Sequence, residues 1–115
     1  MNEDCVFCNI AAGRIPVSFL YEDTAVVAFR DIKPQAPVHI IIIPRRHIPT
    51  VNDISPEQDA LTGQLVTAAK KIAKNQGIDK SGYRIVLNCN KDAGQEVFHL
   101  HAHLLGGRKF TWPPG

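Results

Sequence analysis

The residues from 98 to 105 alternate histidine with apolar side chains, reading Phe-His-Leu-His-Ala-His-Leu-Leu. A period of two is that of a β-strand, in which side chains at i, i+2 and i+4 share one face. The pattern therefore predicts a strand over 98–105 that ends at Gly106-Gly107. Its three histidines, out of 5 in the chain, would line one surface, and Leu100, Ala102 and Leu104 would face a core.

A metal site made by all three of these histidines is disfavoured by distance. Same-face neighbours on a strand lie ~6.6 Å apart, so His99 and His103 would be separated by ~13 Å. Zinc needs its ligand nitrogens within about 2.1 Å of one centre, which two of these rings can achieve and three cannot. The row suits an extended substrate better, with the middle imidazole, that of His101, as the reactive group.

Length and composition restrict the class of protein. The 115 residues, 44% of them hydrophobic, fit one globular domain over 1–115. A net charge of +2 without a basic stripe disfavours nucleic-acid binding, and no apolar run approaches the ~20 residues of a membrane span. The chain has three cysteines, an odd number, and its N-terminus does not resemble a secretory signal. Both observations predict a reduced, cytoplasmic protein.

The remaining pattern predicts an α+β fold with one short helix, one long helix and about five mainly antiparallel strands. The continuous apolar run from Val38 to Ile43 is expected to form a central strand that is buried on both faces. We expect a short helix over 5–12 that is capped by Asp4, and a long helix from a capping box at Ser55 to Gly77. The other strands are expected at 17–22, 24–30 and 83–88.

A histidine row beside a glycine-containing turn suits a phosphate ester. Neutral imidazole is a competent nucleophile near pH 7, so His101 is predicted to attack an α-phosphorus and form a covalent intermediate that water hydrolyses. His103 would serve the phosphate, as would His39 if its strand is adjacent. Main-chain N–H groups at 94–97 would converge on phosphate oxygens, unless the segment is merely a tight turn.

A second group of residues, at the end of the second strand, suits a nucleoside. Phe29 and Ile32 would form an apolar slot, and the Asp31 carboxylate at its edge would accept from a ribose hydroxyl. The alternative is that Asp31 is a turn residue before Lys33-Pro34.

The spacing Cys5-x-x-Cys8 raises a separate metal question. Two thiolates and two distant histidines would complete a tetrahedral structural zinc site. The alternative is a pair of small apolar side chains on a short helix. Cys89 has no such spacing and is expected to be a buried strand residue.

The segment 99–105 resembles the histidine-triad (HIT) signature, His-φ-His-φ-His-φ-φ, in which φ is apolar. Further stretches are similar to the histidine-triad nucleotide-binding (HINT) branch of that superfamily, and together they cover nearly the full length: 5–8, 29–37, 38–39, 43–44, 94–97 and the tail Trp112-Pro113-Pro114-Gly115. The tail favours this branch over the diadenosine-polyphosphate hydrolases and galactose-1-phosphate uridylyltransferases that share the fold.

This resemblance implies a homodimer in which two five-stranded sheets join across the interface and the tail, residues 106–115, reaches toward the partner's active site. It implies hydrolysis of purine nucleoside 5′-phosphoramidates, such as AMP joined to lysine, through a covalent nucleotidyl-histidine and with no cofactor required for catalysis. A nucleotide-binding regulatory scaffold with weak hydrolysis and a dinucleoside polyphosphate hydrolase remain as alternatives.

The resemblance also implies roles for individual residues. His101 matches the nucleophile, supported by His39, His99 and His103. The matched nucleotide-binding positions are Val6, Phe7, Ile10, Phe29, Asp31, Ile32, Asn88, Gly94, Gln95, Glu96, Val97 and the partner's Trp112. Many relatives carry Ser at position 96, so Glu96 removes a hydroxyl donor and puts the preferred leaving group in question.

Zinc is the one cofactor that the resemblance suggests. Some bacterial relatives with Cys-x-x-Cys hold a structural zinc through two histidines that match His47 and His99. With Cys5 and Cys8 the ligand set is complete here, although members with this tail often lack zinc.

Overall fold

A computed structural model describes residues 3–115 as one five-stranded antiparallel sheet, in the order β1-β2-β3-β5-β4, with one helix on each face. The predicted α+β architecture is confirmed. No helix in this range is both long and apolar enough to cross a membrane. The elements are α1 (Val6–Ala11), β1 (Tyr21–Glu22), β2 (Val26–Arg30), β3 (Val38–Pro44), α2 (Asp59–Asn75), β4 (Tyr83–Val86) and β5 (Ala102–Gly106).

Strand β3 lies at the centre of the sheet, between β2 and β5, as its apolar run predicted. Ile40 and Ile42 pack on the face that α2 covers, while Ile41 and Ile43 pack on the face that α1 covers. Because both faces are covered by a helix, the successive positions from Ile40 to Ile43 are all apolar. His39 lies on the α1 face, and this placement brings it to the candidate site.

Helix α2 follows a short 3₁₀ turn, Pro56–Gln58, so the α-helix begins at Asp59 and not directly after the predicted cap, Ser55. The predicted capping contact is present: the main-chain N–H of Ser55 donates to the side-chain oxygen of Gln58 at 2.9 Å. One face of the helix is buried against the sheet, through the apolar side chains of Leu65, Ala68, Ala69, Ile72 and Ala73.

Helix α1 is shorter than predicted and has a different cap. Cys5, and not Asp4, is the N-cap, since its Sγ accepts from the main-chain N–H of Cys8 at 3.3 Å. A six-residue helix is not stable alone. Helix α1 therefore depends on tertiary contacts, which Phe7 and Ile10 make by packing on the sheet.

Several strands are also shorter than the pattern predicted. β1 covers 21–22 instead of 17–22, β2 begins at Val26, and β4 ends at Val86. The largest correction concerns the histidine segment, because β5 begins at Ala102 and residues 98–101 lie outside the ladder.

A proline explains where β5 begins. The register pairs Ile42 with Ala102, and continuing it would place Pro44 opposite Leu100. Proline has no N–H to donate to the ladder. The N–H of Leu100 instead donates to the carbonyl of Ile48 at 2.6 Å. The predicted alternation of faces survives, since Leu100, Ala102 and Leu104 all lie in the core on the α2 side.

Candidate functional site

A cavity of about 490 Å³ opens on the α1 face of the sheet. This volume is in the range of small-molecule sites. Three of the four histidines predicted to be catalytic and seven of the predicted nucleotide-binding residues border it. The lining consists of Phe7, Asp31, Ile32, Lys33, Gln35, His39, Ile41, Asn88, Gly94, Glu96, Val97, His101 and His103.

The pairing of β3 with β5 brings these histidines together. Ile41 lies opposite His103, and His39 lies two residues away on the same face. The Nε2 atom of His39 is 2.8 Å from Nδ1 of His103, and the His101 and His103 ring centroids are 4.9 Å apart. The expectation that the strand of His39 is adjacent is therefore confirmed.

A main-chain amide determines the tautomers of two of these rings. The N–H of Gln35 donates to Nδ1 of His39 at 3.0 Å, so the neutral His39 ring carries its proton on Nε2. That N–H faces Nδ1 of His103, at 2.8 Å, and Asp31 Oδ2, at 3.4 Å. Nδ1 of His103 must then accept, which leaves the proton of His103 on its Nε2.

The pKa of His103 agrees with this arrangement. Burial, followed by the neighbouring His101 and His39 rings, lowers the pKa of His103 to about 4, although the Asp31 carboxylate acts in the opposite direction. At pH 7 the ring is neutral and offers one N–H as a hydrogen-bond donor.

His101 is held in the state that a nucleophile requires. Its Nδ1 lies 2.7 Å from the carbonyl oxygen of His99. A carbonyl accepts and cannot donate, so Nδ1 carries the proton and Nε2 keeps its lone pair. Burial lowers the pKa of His101, although the His99 carbonyl and the Asp31 carboxylate favour the charged form. The ring of Phe7 packs edge-on against it, with the centroids 5.1 Å apart.

Asp31 is a turn residue that also borders the cavity. Its Oδ1 accepts from the N–H of Lys33 at 2.8 Å, as a turn residue does. Its Oδ2 remains beside the histidines, 3.4 Å from His39 Nε2 and 4.0 Å from His103 Nδ1. The carboxylate also borders the cavity, where contact with a ribose hydroxyl stays a prediction.

The predicted phosphate nest at 94–97 is wrong for two of its four amides. The N–H groups of Gly94 and Gln95 donate to the carbonyls of Lys91 and Asn90, at 2.9 and 3.1 Å, which closes a turn. The buried Gln95 side chain donates to the Pro49 carbonyl, at 2.9 Å, and stabilises this loop from behind. Gln95 therefore supports the cavity without lining it.

Four further predicted nucleotide-binding residues lie outside the cavity lining. Ile10 and Phe29 belong to the apolar cluster behind Phe7. Val6 borders a second cavity of about 460 Å³, and the Trp112 side chain is 83% exposed. Sequence reasoning missed Lys33, Gln35 and Ile41 as lining residues. Gln35 acts on His39 through a main-chain amide, and a main-chain group leaves no signal in the sequence.

His99 does not line this cavity, although it was predicted to support catalysis. It is fully buried beside Cys5, Cys8 and His47, and we call these four residues the thiol–imidazole cluster. Its Nδ1 lies 3.4 Å from the sulfur of Cys5, 3.4 Å from that of Cys8 and 3.2 Å from Nδ1 of His47. Its Nε2 donates to the Pro44 carbonyl at 2.8 Å. Burial lowers the pKa of His99, so the ring is neutral and its Nδ1 lone pair faces the cluster.

The cluster has the spacing of a tetrahedral zinc site. Bonds of about 2.0–2.1 Å to nitrogen and about 2.3 Å to sulfur place neighbouring ligand atoms about 3.3–3.8 Å apart, with the sulfur–sulfur pair at the upper end. The three distances from His99 lie close to this range, as does the 3.3 Å between Cys8 Sγ and His47 Nδ1. All four ligand atoms lie within 4.8 Å of one another. The cluster therefore has the donor types that zinc needs, and four of its six ligand-atom distances lie close to the tetrahedral values.

The third cysteine lies elsewhere. Cys89 was expected in a buried strand position, but β4 ends at Val86 and the Cys89 side chain is half-buried in the following loop.

Comparison with known proteins agrees with this arrangement. Residues 12–110 match the model of the HIT domain. The chain belongs to the HIT family. The histidine-triad resemblance and the HIT-like fold predicted from the sequence are thereby confirmed.

This HIT protein has relatives in several organisms. It is 52% identical over 108 residues to the purine nucleoside phosphoramidase of Escherichia coli K12, which covers 94% of this chain and 91% of that protein. A HIT family hydrolase from Legionella pneumophila Philadelphia 1 superposes with a TM-score of 0.94 and 51% identity, over 96% of this chain and 99% of the other. The histidine triad nucleotide-binding protein of Candida albicans superposes with a TM-score of 0.81 and is 31% identical, over 95% of this chain and 82% of the other.

Proposed function

We propose that this HIT protein is a phosphoramidase that hydrolyses purine nucleoside 5′-phosphoramidates to a nucleoside monophosphate and an amine. The observation that carries the proposal is the neutral His101 ring, which lines the cavity. Its Nδ1–H donates to the His99 carbonyl, so its Nε2 keeps a free lone pair for attack. The 52% identity to a purine nucleoside phosphoramidase supports the choice of substrate.

The proposed reaction has two steps through one covalent intermediate. Nε2 of His101 attacks the α-phosphorus, the P–N bond breaks, and the amine leaves with a proton taken from water. A water molecule then attacks the phosphorus of the nucleotidyl-histidine, the P–Nε2 bond breaks, and the hydroxyl of the water remains on the monophosphate. The other proton of this water neutralises the hydroxide that the first step left. The His101 ring returns to its neutral state with the proton still on Nδ1, so atoms and charges balance over the cycle.

The neighbouring groups have separate proposed tasks. His103, with its proton on Nε2, donates a hydrogen bond to a non-bridging phosphate oxygen, and His39 holds it in that tautomer. Phe7 and the 92% exposed Ile32 contact the base, and Asp31 accepts from the ribose. His99 acts from outside the cavity.

We propose a homodimer for this chain as well. β4 is an edge strand of the sheet whose four residues are half-buried, and an unpaired edge is a place where a second chain can add. The tail begins nearby, because the Arg84 side chain donates to the Thr111 carbonyl and stacks on the Phe110 ring. Pairing of two copies along β4 would bring the exposed Trp112 toward a partner's cavity. Sedimentation at micromolar concentration tests this, and a pure monomer would contradict it.

A structural zinc ion in the thiol–imidazole cluster completes the proposal. Cys5, Cys8, His47 and His99 would hold it, and its contribution would be to join α1 to the segments around His47 and His99. Two reduced thiols suit a cytoplasmic location. Elemental analysis of the purified protein for one zinc per chain tests this part.

The central experiment replaces His101 by Asn and follows hydrolysis of an adenosine 5′-phosphoramidate. We expect turnover to fall by on the order of 10³-fold or more, since the covalent step is lost, while AMP affinity stays within about threefold. Turnover equal to that of the unaltered protein would reject the mechanism. Diadenosine polyphosphate assayed alongside tests the alternative hydrolase, and a kcat/KM far below ~10⁴ M⁻¹s⁻¹ on both substrates would favour a binding scaffold.

A further inference from the structure

We propose that His99 is a positioning residue: when the thiol–imidazole cluster holds a metal ion, His99 fixes the direction of the His101 imidazole and so sets the rate of nucleophilic attack. The inference rests on the proposed function of His101. It gives the cluster a part in the rate of the reaction, in addition to joining α1 to the sheet.

Both ring nitrogens and the main-chain carbonyl of His99 are engaged, each by a different part of the molecule. Its Nδ1 faces the two thiols and His47 at 3.2–3.4 Å. Its Nε2 donates to the Pro44 carbonyl at 2.8 Å, and its own carbonyl accepts from Nδ1 of His101 at 2.7 Å. A rotation of the His99 peptide unit would therefore change the hydrogen bond that orients His101, and the contacts of the His99 ring oppose such a rotation.

The segment that carries His99 and His101 has no ladder to hold it. β5 starts at Ala102, so His103 is fixed by pairing with β3 while His99 and His101 are not. Their conformation depends on contacts outside the ladder, several of which are made by the His99 ring. Ligation of Nδ1 would fix that ring far more firmly than hydrogen bonds to thiols, because the S–H group is a weak donor and acceptor.

A second ligating residue acts on the same segment. His47 directly precedes Ile48, whose carbonyl accepts the N–H of Leu100 at 2.6 Å. Leu100 lies between the two histidines in question. Ligation of His47 and His99 by one ion would thus fix both partners of this hydrogen bond.

A third connection runs through helix α1. Phe7 lies between the two cysteines in sequence, and its ring packs edge-on against His101 at 5.1 Å and near His99 at 6.0 Å between centroids. Because α1 has only six residues, it depends on its contacts for its position. Loss of the Cys5 and Cys8 ligands would loosen the wall against which the His101 ring rests.

The decisive experiment compares metal-loaded protein, protein stripped by a chelator, and stripped protein reloaded with Zn²⁺ or Co²⁺. Stripping should lower kcat for an adenosine 5′-phosphoramidate by about tenfold or more, the effect typical of groups that orient a catalytic side chain, and change KM by less than about threefold. Reloading should restore kcat. Circular dichroism of the stripped protein checks that the fold persists.

Two readouts do not depend on activity. Co²⁺ should give the absorption of a tetrahedral site with thiolate ligands, which reports occupancy of the cluster. The imidazole ¹⁵N spectrum should show His101 as a single Nδ1–H tautomer in the loaded protein, and an exchanging mixture of tautomers after stripping. If that spectrum is unchanged by stripping and kcat is retained, the inference is wrong. A rise in KM alone would also overturn it, since the ion would then shape only binding.

Variants provide a matched pair. Cys5→Ser removes a half-buried ligand, whereas Cys89→Ser removes a half-buried cysteine outside the cluster. We expect the first to reproduce the kcat loss and the tautomer exchange of stripped protein, and the second to behave as the unaltered chain. If loaded protein fails to hydrolyse phosphoramidates at all, the proposed function is wrong. The tautomer of His101, measured with and without metal, still tests the coupling in that case.

Discussion

The carbonyl oxygen of His99 accepts a hydrogen bond from Nδ1 of His101 at 2.7 Å, so one histidine of the row fixes the tautomer of the next. The two side chains nevertheless lie in different environments. His101 lines the cavity, while His99 is enclosed with Cys5, Cys8 and His47. A single peptide unit therefore connects the thiol–imidazole cluster to the ring that we propose as the nucleophile.

Replacing His39 by Asn should lower kcat on the order of tenfold. Without the Nε2–H of His39, the tautomer of His103 is no longer fixed, and the donor to the phosphate is present only part of the time. Steady-state kinetics and the imidazole ¹⁵N spectrum of His103 measure the two effects. A full kcat with a mixed His103 tautomer would show that this donor is not needed.

Replacing His103 by Asn should make the stability of the protein less sensitive to acid. The folded-state pKa of about 4 lies below the unfolded value of ~6.5. The unfolded chain therefore binds the proton more readily between these values, and stability falls as the pH drops from about 6.5 to about 4. We expect a loss of about 1–2 kcal/mol from this group, less than full linkage would give, because the ring is partly solvated.

Urea unfolding of both proteins at pH 7 and pH 4.5 measures that difference. His99 and His101 are present in both proteins, so their contributions cancel to first order. Parallel stability profiles for the variant and the unaltered chain would contradict the assignment.

Replacing Glu96 by Gln should change the preference among leaving groups. Glu96 borders both the cavity that His101 lines and the neighbouring cavity. Its carboxylate would attract an amine that carries a second positive charge and repel a phosphate leaving group. The residue is exposed, and we expect only about a threefold fall in kcat/KM for a cationic amine. A neutral amine is the control, and an equal change for both amines would contradict an electrostatic role. The effect should also shrink in high salt.

Replacing Gly106 by Ala should destabilise the fold by about 1–3 kcal/mol, because the new methyl group would overpack a filled core. A Cβ at this position would meet Cδ1 of Ile78 at 2.5 Å. Gly63→Ala is a matched control on α2, where nothing lies within 4 Å, and it should stabilise by up to ~1 kcal/mol through helix propensity. Urea denaturation measures both, and a neutral Gly106→Ala would show that Ile78 moves aside freely.

The sequence predicted those parts of the site that depend on periodicity. The apolar run of β3 and the alternation around His103 placed two strands, and their pairing brought His39, His101 and His103 together. The four cluster ligands were also named from Cys-x-x-Cys and the family resemblance. These features depend on side-chain type and spacing, which a sequence displays directly.

The parts that were missed depend on main-chain groups. The amide of Gln35 orients His39, and the amides of Gly94 and Gln95 are consumed within a turn, yet neither fact is visible in side-chain chemistry. The thiol of Cys5 caps α1 in place of the expected carboxylate. The predicted start of β5 was too early for a similar reason. It depends on whether the residue opposite Leu100 has a main-chain N–H to donate.

Pro44 supplies that reason, and its effect reaches beyond the edge of a strand. Had this position carried an amide hydrogen, β3 and β5 could have continued to pair, and Leu100 would have been tied into the sheet. Pro44 keeps residues 98–101 out of the sheet, and its own carbonyl is left to accept a hydrogen bond from the Nε2–H of His99. Nε2 of His99 is thereby anchored to the sheet, and Nδ1 faces the sulfur atoms of Cys5 and Cys8.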